Sequence, residues 1–253
     1  MRMELIMSDV GVVVYAAIGF ILFLAHVVQG VIGFGSMMVA LPLLSFFVPV
    51  KELIPALLVV NLLQPAWFVC RERRRIDLAR ARFMLLFGFL GMPLGYAVFR
   101  LLPAEAMKLL IGFFLIAVCG LKLSGLETRW EVPKPLYALL NFLGGAAQGS
   151  VTLGGPFFVI YAAKTLPDKT EFRATLSLVW TVLNLLLVSA HAAAGGIHMD
   201  MAVLTLLAVP GVALGTYFGN ILHDRIPEAP FRKLVFIILI LSGLILLRPL
   251  FGI

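Results

Sequence analysis

Charge is scarce in this sequence: Asp, Glu, Lys and Arg make up 13% of it, against roughly a quarter in soluble domains. The charges that exist stay out of long stretches. Residues 10–50, 53–70, 83–99, 109–121, 136–163, 174–199, 201–223 and 234–247 hold none. With 62% hydrophobic residues, the chain has too little polar surface to cover a soluble core. Cysteine is scarce too. Cys70 and Cys119 are the only two; they lie near the ends of apolar segments, match no metal spacing or disulfide framework, and read as core residues. Alternating strand patterns are missing, which excludes a β-barrel and leaves a helical bundle. Missing as well are a soluble basic domain and an aromatic stacking pattern, so the net charge of +7 does not point to nucleic acid. No pattern calls for a metal or a cofactor. A cleaved leader is not expected, because Glu4 and Asp9 interrupt a basic start at Arg2 and no small-residue cleavage pattern follows.

What is present is a set of membrane segments. A hydrocarbon core about 30 Å thick takes roughly 20 helical residues, so several of the charge-free stretches span once, whereas 10–50 and 136–163 must each turn back. The basic residues give an orientation. Residues 70–82 carry six Lys or Arg, while 122–134, 164–173 and 222–233 carry three each. The remaining five, Arg2, Lys51, Arg100, Lys108 and Arg248, are scattered. With the rich loops cytoplasmic, both termini lie outside, and the two excursions enter from opposite faces, 10–50 from outside and 136–163 from inside.

The two excursions resemble each other. A shift of 119 residues lays "QGVIGFG" (Gln29 to Gly35) on "QGSVTLG" (Gln148 to Gly154), Glu52 on Glu171 and Val60 on Val179. Further along, "GMPLG" (Gly91 to Gly95) falls on "GVALG" (Gly211 to Gly215), and "PAEAMK" from Pro103 falls on "PEAPFR" from Pro227. Leu and Val match cheaply among apolar segments; Gln, Gly, Glu and Pro do not. The expected architecture is an all-α integral membrane protein, a polytopic helical bundle made of an inverted-topology tandem repeat with two short re-entrant hairpins. Residues 1–125 form the first repeat and 135–253 the second, each a hairpin plus three spans, joined by a cytoplasmic linker at 126–134.

The arms 36–48 and 155–165 reach only ~20 Å and ~17 Å at the helical rise, so the Gly-rich elements 29–36 and 148–155 become hairpin tips that end inside the membrane. Free backbone at that depth is tolerated where it is buried in protein or lines a wet cavity. Helices restarting after such turns present unpaired N–H groups and a positive dipole end, which favours an anion. The candidate binding residues are Gln29, Gly30, Gly33, Gly35 and Ser36 in the first tip, with Gln148, Gly149, Ser150, Thr152, Gly154 and Gly155 in the second. No Lys or Arg is placed at membrane depth. Close helix packing through small residues is the competing explanation of each glycine cluster.

The element "GVIGFGSMMVALPLL" and the element "QGSVTLGGPFFVIYAAKTLPDKTEFRATLSLVWTVLNLLL", above all Gly154-Gly155-Pro156, Tyr161 and Lys169 to Arg173, resemble the two halves of the TauE/SafE family of membrane anion permeases. The resemblance runs through nearly the whole chain. It implies transport of small sulfur-containing anions such as sulfite, thiosulfate or organosulfonates across a bacterial inner membrane. Ser36 and Met37 stand where that family commonly has further glycines, and "IPALLVVNLLQ" replaces a smaller, hydroxyl-rich start of the next segment.

Other residues admit two uses. His26, one turn before Gln29, either titrates and couples a proton to the anion or is a neutral group bonded to a neighbouring helix. Asn61, Gln64 and Asn184 line a cavity or join two helices, and the sequence does not choose. Glu52 and Glu171 read as helix-start carboxylates. Trp67, Trp130 and Trp180, with Tyr137 and Tyr217, read as interfacial or packing residues; of the intramembrane prolines only Pro156 is placed to shape a tip. No evident nucleophile dyad supports an enzyme. A secondary transporter with a small-molecule anion as its partner is therefore the expected function. An anion channel or a carrier of another small anion, such as a carboxylate, is the alternative; oligomeric state is not legible.

Overall fold

The computed structural model describes residues 12–125, 133–197, 199–223, 225 and 228–247. Most of the linker 126–134, Trp130 and both termini lie outside them. The described residues form ten α-helices and one short 3-10 turn, with no strand among them. In chain order these are α1 (Val12–Ile32), α2 (Ser36–Leu44), α3 (Val50–Glu72), α4 (Leu78–Leu101), α5 (Ala104–Ser124), α6 (Lys134–Val151), α7 (Gly155–Thr165), α8 (Lys169–Ala193), α9 (Met199–His223) and α10 (Glu228–Leu246). Among the described residues, α3 (with the 3-10 turn that follows), α4, most of α5 and α8 are long and apolar enough to cross a membrane. α2 and α7, with 9 and 11 residues, rise only about 14 and 17 Å. The chain is a polytopic helical membrane protein.

Four helix pairs organise the bundle: α4 on α6, α1 on α9, α3 on α8, and α5 on α10. The "GMPLG" and "GVALG" motifs explain the first two. On α4, a Cβ built at Gly91 would lie 1.9 Å from Phe142 O, and one at Gly95 1.9 Å from Ala146 O, both carbonyls of α6. On α9, a Cβ at Gly215 would lie 2.6 Å from Phe23 O and one at Gly219 2.8 Å from Val27 O, both on α1. Without a hydrophobic force between helices in lipid, such backbone contact is a main source of association. The outward faces stay apolar: Leu86, Phe89, Leu90 and Leu94 of α4 are exposed, while His26, Gln29, Asn61, Gln64, Gln148 and Asn184 are buried.

Local signals start and stop the helices. Asp77 caps α4, its carboxylate accepting from Arg80 N–H at 2.9 Å, and Asp168 caps α8 by accepting from Glu171 N–H at 2.8 Å. Asp168 supplies the side-chain cap, while Glu52 and Glu171 sit in the first turns of α3 and α8, where each carboxylate favours the positive helix end as expected. Pro156 occupies the first turn of α7, where its missing N–H costs nothing. Cys119 is buried, but Cys70 is exposed; it lies in the last turn of α3 beside the basic loop rather than in the core.

Candidate functional site

Two interrupted helices build the site. α1 ends at Gly33 (φ +89°) and α2 restarts after Gly35 (φ +105°), a pair of left-handed positions that strongly favour glycine. α6 ends at Thr152 with φ +59°, the only non-glycine in that region among the described residues. A β-branched residue there is strained. The tips touch, since a Cβ built on Gly155 would meet Phe34 Cδ2 at 3.3 Å.

The carbonyls that α1 leaves unpaired at its end are taken up by the second half of the chain. Arg173 Nη1 donates to Gly30 O at 3.3 Å, His223 Nδ1 to Val31 O at 2.7 Å, and Trp180 Nε1 to Gly33 O at 3.2 Å. The second tip is closed by its own chain: Thr152 N–H donates to Gln148 O at 3.1 Å, Leu153 N–H to Ala147 O at 3.3 Å, and Gly154 N–H to Gln148 Oε1 at 3.1 Å.

Between the tips lies a cavity of about 40 Å³; roughly 10–15 Å³ on this measure holds one water. Gln29, Phe34, Gly35, Ser36, Met37 and Met38 line it from the first hairpin, and Gln148, Thr152, Leu153 and Gly155 from the second; Asn61 of α3 and Trp180 and Asn184 of α8 complete it. Ser36 Oγ sits between Gln29 Oε1 and Asn61 Oδ1, the latter at 2.6 Å, and its single proton serves one acceptor at a time. Gln148 Nε2 donates to Asn184 Oδ1 at 2.8 Å, and Asn184 Nδ2 reaches Asn61 O at 3.5 Å, joining the two tips' polar groups. Turned about its amide axis, Asn61 donates Nδ2 to Ser36 Oγ, which gives its own proton to Gln29 Oε1, so each group is paired.

The other sequence-derived residues fall elsewhere. Gly30 packs on α9, where a Cβ would lie 2.8 Å from Gly219 Cα, and Gly149 packs on α4, 2.3 Å from Met92 O. Gly33 packs against Arg173, while Gly154 lies over Gln148. Ser150 Oγ turns back to Ala146 O at 2.9 Å. His26 is fully buried; its Nδ1 donates to Leu22 O at 2.8 Å, leaving Nε2 unpartnered, and Gly215 of α9 packs on its Cβ. Gln64 donates to His26 O at 2.9 Å. None of these lines the cavity.

Two residues gain a place that the sequence did not suggest. Trp180, read as an interfacial or packing residue, is a wall of the cavity and a cap of the first tip; the 119-residue shift that lays Val60 on Val179 also lays Asn61 on Trp180, a signal that marked it. Arg173, read as loop charge, carries its guanidinium inward to the first tip. It is paired with Glu72 of α3, its Nε donating to Oε2 at 3.3 Å, and it lies over the Phe68 ring at 4.4 Å. A cation therefore does reach the first tip's backbone. Among the described residues no three His, Cys, Asp or Glu gather as a metal would require.

No curated protein and no solved structure matches the chain. A family model described as "Sulfite exporter TauE/SafE" matches residues 18–246, a span that takes in both interrupted helices, the cavity between them and the four packed helix pairs. The chain belongs to the TauE/SafE family of sulfite exporters.

Proposed function

We propose that this protein is a secondary transporter that moves a small sulfur-containing oxoanion, sulfite, thiosulfate or an organosulfonate, by alternating access around the cavity between its two hairpin tips. Membership of an exporter family supplies the class. The observation that carries the mechanism is the cavity itself: small, lined by side chains from both halves, and walled by the polar groups of Gln29, Ser36, Asn61, Gln148 and Asn184. Neutral amides and hydroxyls with two helix starts stabilise an anion without fixing it by a full opposite charge, which suits release as well as capture.

The halves act as inverted repeats in this reading. The first helix of each half packs on the fourth helix of the other, and the third and fifth helices pair with their counterparts, as a two-fold axis in the membrane plane would arrange. Both termini lie outside a bacterial inner membrane, with the basic loops cytoplasmic. His26 is a packing residue, and no group performs bond chemistry.

The test is exchange by purified protein in liposomes across a panel of sulfite, thiosulfate, sulfate, an organosulfonate and a carboxylate. Saturable, electrically silent or stoichiometric exchange of a sulfur oxoanion is expected. Exchange of the carboxylate alone would replace the substrate class. Single-channel currents would replace the carrier by a channel.

A further inference from the structure

The ion pair between Glu72 and Arg173 has no part in the reading above. Glu72 closes α3 and Arg173 lies in the first turns of α8, 101 residues apart in sequence. Arg173 is buried and Glu72 largely so, with side chains 4% and 9% exposed. The two helices are the ones that carry Asn61 and Asn184 into the cavity. Each member of the pair lies eleven residues from its cavity asparagine, 61 to 72 and 173 to 184, or about 16 Å along the helix. That end is marked by the basic loop 70–82. At the opposite end the 119-residue shift places His191 for Glu72 and Ile54 for Arg173, and there no ion pair forms: His191 meets Tyr96 and Phe99 edge-on, at 5.0 and 4.7 Å. The latch exists on one side only.

Its chemistry fits more than a strut. A guanidinium presents the same planar fork to a carboxylate and to a tetrahedral or pyramidal oxoanion, so Glu72 fills a place that such an anion also fits. The same guanidinium holds Gly30 O, next to Gln29 of the cavity wall. We propose that Arg173 is an anion-binding residue on the basic-loop side of the cavity, and that Glu72 is a built-in competitor that keeps this side shut. Leaving a buried charge without a partner is strongly unfavourable. Glu72 therefore leaves Arg173 when another anion takes its place, and opening on this side depends on the transported ion being present. The inference rests on the transporter reading and refines it.

The experiment uses the full chain with Cys70 and Cys119 replaced by serine and one cysteine introduced at Met37, a cavity-lining position. Membrane vesicles of either orientation are treated with an anionic methanethiosulfonate, the sulfonatoethyl reagent, or a cationic one, the trimethylammonioethyl reagent. Which orientation displays the basic-loop face is read from the native Cys70, kept in a parallel sample. On that face, Glu72→Gln raises the ratio of anionic to cationic labelling, and Arg173→Gln lowers it. One unit charge about 16 Å away at an effective dielectric constant near 20 changes the rate of each reagent about fivefold, in opposite directions, so each ratio moves roughly thirtyfold. From the other face the ratio stays as in the parent. A pair that only braces the fold carries the same charges and shifts the ratios too, so the deciding reading adds sulfite at the basic-loop face: it should speed labelling of the parent and not of Arg173→Gln, and a parent rate that sulfite leaves unchanged, or raises equally in Arg173→Gln, overturns the proposal. A cysteine at Leu153 on the other tip repeats the measurement if the Met37 variant does not fold. Absence of exchange for every anion in the liposome panel would sink the transporter reading instead, with the effect of sulfite on labelling still deciding the role of Arg173.

Discussion

Gly95→Ala adds a single methyl group where α4 crosses α6. A Cβ there would stand 1.9 Å from Ala146 O, 2.7 Å from Ala146 C and 2.8 Å from Ser150 N, all backbone atoms. Real Cβ contacts begin above 3.0 Å, so α6 has to retreat by more than 1 Å or the helices must part. Overpacking of this kind costs typically 1–3 kcal/mol, against a gain of roughly 1 kcal/mol from replacing glycine by alanine in a helix. The net is a loss. Gly120 of α5 is the control, because nothing lies within 4 Å of a Cβ built there, and Gly120→Ala should stabilise by up to about 1 kcal/mol. Opposite signs are therefore expected from one chemical change in one protein. Thermal unfolding of both variants in detergent, followed by size-exclusion and fluorescence, reads the sign. Because α6 carries Gln148 and leads into Thr152, Gly95→Ala should also slow anion exchange beyond its loss of folded protein. If Gly95→Ala is as stable as Gly120→Ala, the α4–α6 contact is not the close backbone packing described.

Three further outcomes are expected. Thr152→Gly removes a left-handed β-branched residue, a conformation costing roughly 1–2 kcal/mol, and should raise the unfolding temperature; an unchanged or lower value would mean that Thr152 is not strained. His26→Gln should leave the pH response of transport in place, since His26 packs at the α1–α9 contact outside the cavity; a response abolished with exchange intact would make His26 the proton carrier. A cysteine at Ile197 should react with an impermeant reagent added outside cells and one at Arg75 should not, and the reverse pattern would invert the orientation.

The spans and the two helix breaks were legible because lipid imposes a simple rule: charge is kept out, and only special residues interrupt a helix inside. Of the residues read from the tips, Gln29, Gly35, Ser36, Gln148, Thr152 and Gly155 line one cavity. Gly30 and Gly149 do not, because a glycine that admits a ligand and a glycine that admits another helix look the same in sequence. Asn61 and Asn184 were undecidable for a related reason: which way an intramembrane amide points depends on helix rotation, and α3, whose polar and apolar residues lack a sharp face, does not reveal it. Trp180 was read by type rather than by position. Arg173 was hidden by its neighbours, since a cation among loop charges gives no sign that its side chain turns inward to pair with Glu72.

The most direct test of the central claim, one anion held between two tips, is the binding affinity of Gln29→Ala beside that of Gln148→Ala, measured by calorimetry with the anion the parent protein exchanges fastest. A hydrogen bond from a neutral donor to a charged ligand contributes roughly 1.5–3 kcal/mol, so each substitution should weaken binding by on the order of tenfold or more. Comparable losses at both positions, in protein that remains folded, are the expected result. Binding lost at Gln148 and untouched at Gln29 would contradict the shared site and leave the first tip as a packing element alone.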